Sequence, residues 1–411
     1  MESTPKSLRL QIGIFGRTNV GKSSFLNMIA NQDVAVTSHI PGTTTDIVEK
    51  AMELLPVGPV TFLDTAGIDD LSDLSEKRIA KTIKVIDRSD IAILILEPNV
   101  WNDYEENIFN ELKKKKIPTI FIINKIDTAQ LQENFLSKIK ELNKKVILSS
   151  SIDKDMREKY IQAVKQVILD ILPPNFSNQP PLISDIIKKD DLIVLIIPID
   201  NEAPKGRIIL PQVQALRDVL DSNAAAIVVQ DTEYPSILDR FKEKVDLVIC
   251  DSQVVHKMVA GTPENVKCTT FSIVFSRFKG DLIEEVRAVK MLDKITENDK
   301  ILIAEACSHH PNEDDIGRVK IPRWLKKHLG FDAKIDIYAG RDYPDNLSDY
   351  KLIIHCGGCM ITRNEKLSRM RRAGEAHVPI TNYGIIISYM QGVLERVLSP
   401  FPDALKAYYE G

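Results

Sequence analysis

The chain has 411 residues, with 54 basic against 58 acidic side chains, a formal charge of −4 and five cysteines. That length corresponds to two or three domains, each able to bury its own core. The slightly acidic balance excludes a general nucleic-acid surface or one that binds anionic membranes. No apolar stretch reaches the roughly 18 residues needed to span a bilayer, so a soluble cytoplasmic protein with no membrane or nucleic-acid partner is expected.

Leu8 to Phe15 reads as a strand and Ser24 to Ala30 as a helix, and Gly16-Arg17-Thr18-Asn19-Val20-Gly21-Lys22-Ser23 lies between them. This is a phosphate-binding loop in its proper context. Glycines let successive backbone N–H groups wrap phosphates, Lys22 reaches the outer ones, and the Ser23 hydroxyl holds magnesium. Gly16, Asn19, Gly21, Lys22, Ser23 and Ser24 are the candidate contacts on this side.

Asp64-Thr65-Ala66-Gly67 ends the apolar run Val60 to Leu63, which puts Asp64 at a strand tip facing magnesium and the N–H of Gly67 at the terminal phosphate. Ile68 cannot orient a water, so intrinsic hydrolysis is expected to be slow; Asp69, Asp70 and Glu76 read as solvated charges. Asn124-Lys125-Ile126-Asp127 ends the run Thr119 to Ile123. A carboxylate there accepts from the ring N–H and exocyclic amine of guanine, a donor pair that adenine lacks. Ser149-Ser150-Ser151, after Val146 to Leu148, stands where a second base contact belongs, although serine clusters also form plain turns. The lysines from Lys113 to Lys116 close a helix, where cations suit the dipole.

Together these segments resemble a small GTPase domain over about the first 170 residues. Pro41-Gly42-Thr43-Thr44-Thr45-Asp46 is similar to the first switch of the bacterial GTPases related to MnmE and Era. The resemblance implies that Thr44 is the second magnesium hydroxyl, ordered by the terminal phosphate. Lys22, Thr44, Asp64 and Gly67 then form the hydrolytic set. Asn19 matches the position that coordinates potassium in potassium-activated members; its alternative role is to cap the loop.

The helix Arg157 to Leu172 ends at Pro173-Pro174, and Gln179-Pro180-Pro181 closes a polar linker. Beyond it Leu192 to Ile197, Ala225 to Val229 and Val245 to Ile249 read as buried strands. Helical patterns separate them, at Val213, Leu216, Val219 and Leu220 and at Ile237 to Phe241. This small βαβ region carries no catalytic motif, Cys250 reads as a core thiol, and an uncovered sheet edge suits self-association.

In the third region Ile301 to Glu305 runs into Cys307-Ser308-His309, and Lys351 to Ile354 runs into His355-Cys356-Gly357-Gly358-Cys359, followed by the helical pattern Thr362 to Ala373. In a parallel sheet both sets emerge at carboxyl ends of strands, where ligand crevices form. Gly357 and Gly358 permit close backbone approach and aim N–H groups at whatever the cysteines hold. The residues alone leave three metal or redox readings: a 4Fe-4S cluster on three thiolates, a zinc site with three cysteines and a histidine, and a thioredoxin-type pair at Cys356 and Cys359.

The whole pattern closely resembles the HydF family of FeFe-hydrogenase maturation GTPases. The resemblance implies a 4Fe-4S cluster on Cys307, Cys356 and Cys359, a homodimer formed through the middle domain, and a scaffold or carrier role. A diiron precursor is received with help from the radical maturases HydE and HydG and delivered to apo FeFe-hydrogenase. Glu305, His309 and His355 are candidates for the fourth or exchangeable ligand; Glu305 alone reads more simply as a strand-end charge facing water, and Tyr383 as a core aromatic. The expected fold is α/β in three domains: a P-loop GTPase domain (1–172), a linker (173–181), a βαβ dimerisation domain (182–267), and a C-terminal parallel-sheet domain (268–411) for the cluster. The rival from another class is a tRNA- or ribosome-associated GTPase with a zinc module. A GTP-gated redox carrier is a third.

Overall fold

The computed structural model describes residues 4–30, 48–64, 76–172, 180–199, 208–241, 244–306, 315–340 and 343–410, with side chains from 82 onward in the segment that begins at 76. The chain divides into two units, residues 1–179 and 180–411.

In the first unit β1 (Leu10–Phe15), β2 (Val48–Leu54), β3 (Gly58–Asp64), β4 (Ile91–Leu96), β5 (Thr119–Ile123) and β6 (Val146–Leu148) form one sheet in the order β2-β3-β1-β4-β5-β6. β2 and β3 pair antiparallel and the other pairings are parallel. Every residue of β1 and β4 is buried, as continuous apolar runs in a parallel sheet covered on both faces must be. Leu10, Ile12 and Ile14 pack with Phe25 and Val164 on one face. Phe15, Leu94 and Leu96 pack with Ile86 and Leu112 on the other. The phosphate loop, Asp64, Asn124 and the serine loop therefore all leave the sheet at its carboxyl edge, the crevice side of such a fold.

The second unit holds two four-stranded parallel sheets. β7 (Leu192–Ile196), β8 (Ala225–Val229), β9 (Val245–Cys250) and β10 (Lys267–Thr270) lie in the order β10-β9-β7-β8. β11 (Lys300–Ala304), β12 (Lys334–Tyr338), β13 (Leu352–His355) and β14 (Ile380–Asn382) lie in the order β12-β11-β13-β14. A single contiguous core draws on both sheets, joining Val248 and Ile249 to Ile301, Ile303 and Ile385. The boundary expected at 267/268 falls inside β10. β8 forms an edge, and its Val228 is 46% exposed. Among the described residues no helix is long and apolar enough to cross a membrane.

Two buried charges tie this unit together. Lys366 Nζ lies 2.8 Å from Glu285 Oε1, with side chains 1% and 0% exposed, at ion-pair distance but outside hydrogen-bond alignment. The Ser276 hydroxyl donates to the other carboxylate oxygen, and the Thr381 hydroxyl donates to the Glu285 carbonyl at 2.9 Å. The pair joins the helices Leu282–Ala288 and Arg363–Glu375. Removing one partner strands the other charge, which costs about 3–5 kcal/mol. Lys366→Met is therefore expected to lower the melting transition of the second unit by calorimetry, while that of the first unit stays in place.

Candidate nucleotide site and sulfur centre

The phosphate loop is built as its sequence requires. Lys22 opens the helix Lys22–Ala30, is 5% exposed, and donates from Nζ to the carbonyls of Gly16 (2.7 Å) and Arg17 (2.9 Å). The ammonium is thus held over the loop's concave side. Ser23, Ser24 and Asn19 are exposed, and Asn19 adopts φ +63°, a left-handed conformation that asparagine tolerates. Asp64 ends β3 and is 2% exposed. Thr44, Gly67, Ile68, Asp69 and Asp70 lie outside the described residues, as does the side chain of Glu76.

Asn124 has a further structural job. Its Nδ2 donates to the Val20 carbonyl at 2.9 Å, while its Oδ1 accepts from the Ser151 N–H (3.1 Å), the Ser151 hydroxyl (2.9 Å) and the Ser149 hydroxyl (3.4 Å). One amide therefore braces the phosphate loop against the base-side loops. Asp127 is exposed at the crevice, Lys125 pairs with Glu97 at 2.6 Å, and the buried Ser150 hydroxyl lacks a protein partner. Gly21 shows why no other residue fits beneath this brace: its φ is +98°, and a β-carbon there would stand 2.4 Å from Asn124 Nδ2. Such strain costs about 1–3 kcal/mol, so Gly21→Ala is expected to weaken GDP binding about 10–100-fold by calorimetric titration, with the circular dichroism spectrum unchanged.

The role of Arg17 has no signal in the sequence pattern. Its guanidinium grips both oxygens of Glu105 at 2.6 and 2.9 Å. Glu105 also accepts from the Asn102 N–H at 3.0 Å, capping the helix Asp103–Lys114. Tyr104 beside it donates to the Gly16 carbonyl at 3.1 Å. The phosphate loop is thereby anchored to a neighbouring helix start.

The second site forms where β11 and β13 end side by side, with Ala304 opposite His355. The Cys356 N–H donates to the Ala304 carbonyl at 3.0 Å, and the Ala306 N–H donates to Cys356 Sγ at 3.0 Å. Cys307, His309 and His310 lie outside the described residues, and among the described residues no three His, Cys, Asp or Glu side chains converge as a metal cage. The loop turns at Gly358, φ +69°. Burial, and then the neighbouring Cys356, pushes the Cys359 thiol up to about 11, against the opposing pull of Lys279 and of the N–H groups of Cys359 and Met360 that face its sulfur.

Lys279 is the residue that motif reading missed. It ends the helix Phe271–Lys279, is 1% exposed, and donates to the carbonyls of Gly358 (3.0 Å), Cys359 (3.2 Å) and Ile361 (2.6 Å). Burial pulls its pKa down to about 8, with the thiols of Cys359 and Cys356 opposing. A lysine 80 residues before the cysteine it serves carries no local sequence signal.

His355 is fully buried. Its Nδ1 lies 2.7 Å from the Cys356 carbonyl and its Nε2 3.2 Å from Arg369 Nη1. Arg369 can only donate, so Nε2 accepts and Nδ1–H donates. Burial, then the charges of Lys366 and Arg369, holds the ring well below the usual imidazole range. Nδ1 of this neutral ring thus holds the Cys356 carbonyl, while Nε2 is taken by Arg369.

The reading of Glu305 as a water-facing charge is corrected: it is 2% exposed, and Oε2 accepts from Arg318 Nε (3.2 Å) and Nη2 (3.0 Å). The π-helical turn Ile316–Lys320 brings in that arginine, a geometry that strand periodicity does not reveal. Tyr383, expected as a core aromatic, is only partly buried, packs against the core and lies with Glu305 over Gly317. Two thiols on one bent loop, an amide proton on the Cys356 sulfur and a buried ammonium with no carboxylate ion-pair partner among the described residues together suit an anionic, thiolate-bound centre.

Residues 11–125 match the family model described as 50S ribosome-binding GTPase, 182–280 the hydrogen maturase F dimerization domain, and 283–400 the hydrogen maturase F tetramerization domain. The tRNA modification GTPase MnmE of Mycoplasma mycoides subsp. mycoides SC is 34% identical over 188 residues, which are 45% of this chain and 37% of that protein. MnmE of Prochlorococcus marinus (strain NATL1A) is 39% identical over 120 residues, 29% of this chain and 25% of that protein. This chain thus covers well under half the length of those relatives. Among solved structures, a probable GTP-binding protein engB is 23% identical with a TM-score of 0.31, covering 39% of this chain and 99% of that one. The G domain of the T. maritima FeoB iron transporter is 19% identical with a TM-score of 0.29, covering 38% and 99%.

A phosphate loop and a buried aspartate at a strand tip on one sheet edge, within residues that match a GTPase family model, define a GTPase, which binds GTP with magnesium. Its two further matches, both to hydrogen maturase F oligomerisation domains, complete the assignment. The chain belongs to the hydrogen maturase F (HydF) family.

Proposed function

We propose that the chain is a maturation factor for FeFe-hydrogenase, a GTP-hydrolysing scaffold that holds a 4Fe-4S cluster and a diiron precursor and passes the precursor to the apo-hydrogenase. The observation that carries this reading is the 3.0 Å bond from the Ala306 N–H to the Cys356 sulfur, which brings the backbone one residue before Cys307 onto the loop of the other two cysteines. Cys307, Cys356 and Cys359 hold the cluster, His355 orients the Cys356 backbone, and Glu305 and His309 stand as candidates for the exchangeable position. When bound, a cube with three thiolates supplies one iron open to a bridging group from an incoming metal fragment. Arg318 occupies only Oε2 of Glu305.

Asn19 is assigned to potassium, and Ser23, Thr44 and Asp64 to magnesium. GTP hydrolysis selects which partner is bound, because switch loops ordered by a terminal phosphate bias interfaces. The partners are a second copy of the chain, the maturases HydE and HydG, and the apo-hydrogenase. The division 1–172, 182–267 and 268–411 assigns nucleotide, dimer and cluster to successive regions. Oxygen-free purification tests the proposal through metal content and activation of apo-hydrogenase. Brown protein with iron and sulfide that activates the hydrogenase is expected. A colourless protein with one zinc per chain would instead support a tRNA- or ribosome-associated GTPase.

A further inference from the structure

The buried ammonium of Lys279 poses a charge problem. Its three hydrogens go to the carbonyls of Gly358, Cys359 and Ile361, which satisfies every donor but leaves the charge unneutralised. Among the described residues no carboxylate forms an ion pair with it: Glu365 acts on it only at longer range, and the fully buried Glu285 is taken by Lys366. A buried, uncompensated cation is costly, so its retention beside two thiols calls for a local anion.

The peptide units give the lysine a second task. Each trans peptide is planar, so a carbonyl held on one side sends its N–H to the other. Lys279 holds the carbonyls of Gly358 and Cys359, and the N–H groups of these same two units, those of Cys359 and Met360, face the Cys359 sulfur.

We propose that Lys279 is a positioning residue of the sulfur centre: it turns two backbone amides onto the Cys359 sulfur and supplies the positive charge that an anionic metal–thiolate group on Cys356 and Cys359 neutralises. The inference rests on the iron–sulfur reading. Amide donors and a nearby cation both favour the more negative, reduced state of such a group, and so raise its reduction potential. Because the helix Phe271–Lys279 lies at the end of the region matched to the dimerization domain, residues 182–280, that region's penultimate residue shapes the cysteine loop of the next.

The test uses full-length protein, reconstituted without oxygen, with Lys279→Gln, Lys279→Arg and Lys279→Met. Gln keeps donors for the carbonyls and removes the charge. At the wild-type midpoint in a dithionite titration followed by paramagnetic resonance, its reduced-to-oxidised ratio is expected to fall about tenfold, 59 mV for one electron. Arg keeps the charge and is expected to stay within about twofold of wild type. Loss of iron in Gln but not in Arg is the same result carried further. In iron-free protein, Met is expected to speed hydrogen exchange at Cys359 and Met360 about tenfold, because the loop then opens more readily. An unchanged potential in Gln overturns the charge role, and unchanged exchange in Met overturns the positioning role. Wild-type protein that takes up no iron sinks the cluster reading, while the exchange measurement still decides what Lys279 does to the loop.

Discussion

Cys356→Ser is expected to reduce bound iron from about four atoms per chain to less than one, with GTP turnover within about twofold of wild type. The Cys356 sulfur sits between the tips of β11 and β13, accepting the Ala306 N–H at 3.0 Å, so a serine oxygen there keeps a hydrogen bond but not a soft ligand. The backbone around it is set by His355 and by the Ala304 carbonyl rather than by the sulfur, which means the fold should survive the change. Turnover survives because every nucleotide residue lies in the first unit and Cys356 lies in the second. Cys307→Ser and Cys359→Ser are expected to act alike. Cys250→Ser is the control: this thiol is fully buried in β9, and burial holds it well above the usual thiol range, so its replacement costs stability and leaves iron content alone. Iron retained at wild-type levels in Cys356→Ser would remove that residue from the centre.

The parts of this molecule visible in the sequence are those with local signals. β5 and the short edge strand β6 occupy the expected residues, Thr119–Ile123 and Val146–Leu148, because each is a continuous apolar run bounded by polar loops. β2, Val48–Leu54, was not foreseen because an edge strand buries one face only and its composition is half charged or exposed. β10 and β12 escaped for the same reason, as short edge strands beginning with lysine. At the sites, the glycines, Lys22, Asn124 and the Cys356–Cys359 pair were legible because spacing within one turn encodes them. Lys279, Arg318 and Glu105 were not, since each reaches its partner across a long chain separation: 79 residues from Lys279 to Gly358, 13 from Arg318 to Glu305 and 88 from Glu105 to Arg17. Charges that support a site are chosen by packing, and packing leaves no fixed interval in the sequence.

Asp127→Asn is expected to invert base preference while leaving bound iron unchanged. The carboxylate is exposed on the loop that follows Asn124, and the proposed guanine contact gives it two hydrogen bonds to accept from the base edge. Bonds to a charged acceptor are worth about 1.5–3 kcal/mol each, and partial exposure places this pair near the lower end. GTP affinity is then expected to fall about 100-fold. An asparagine amide offers a donor where xanthine carries a carbonyl in place of the guanine amine, so xanthosine triphosphate is expected to bind more tightly than GTP to the variant. The substitution is nearly isosteric, and Asn124 continues to brace Val20 and Ser151, so a loss confined to guanine isolates the base contact from collapse of the loop. Equal weakening of GTP and xanthosine triphosphate would mean that Asp127 supports the loop rather than reads the base. Unchanged GTP affinity would move the guanine contact to another residue. Because the nucleotide residues lie in the first unit and the sulfur centre in the second, this variant also tests the proposed coupling: with xanthosine triphosphate as the only nucleotide, the proposed partner exchange is expected in the variant alone.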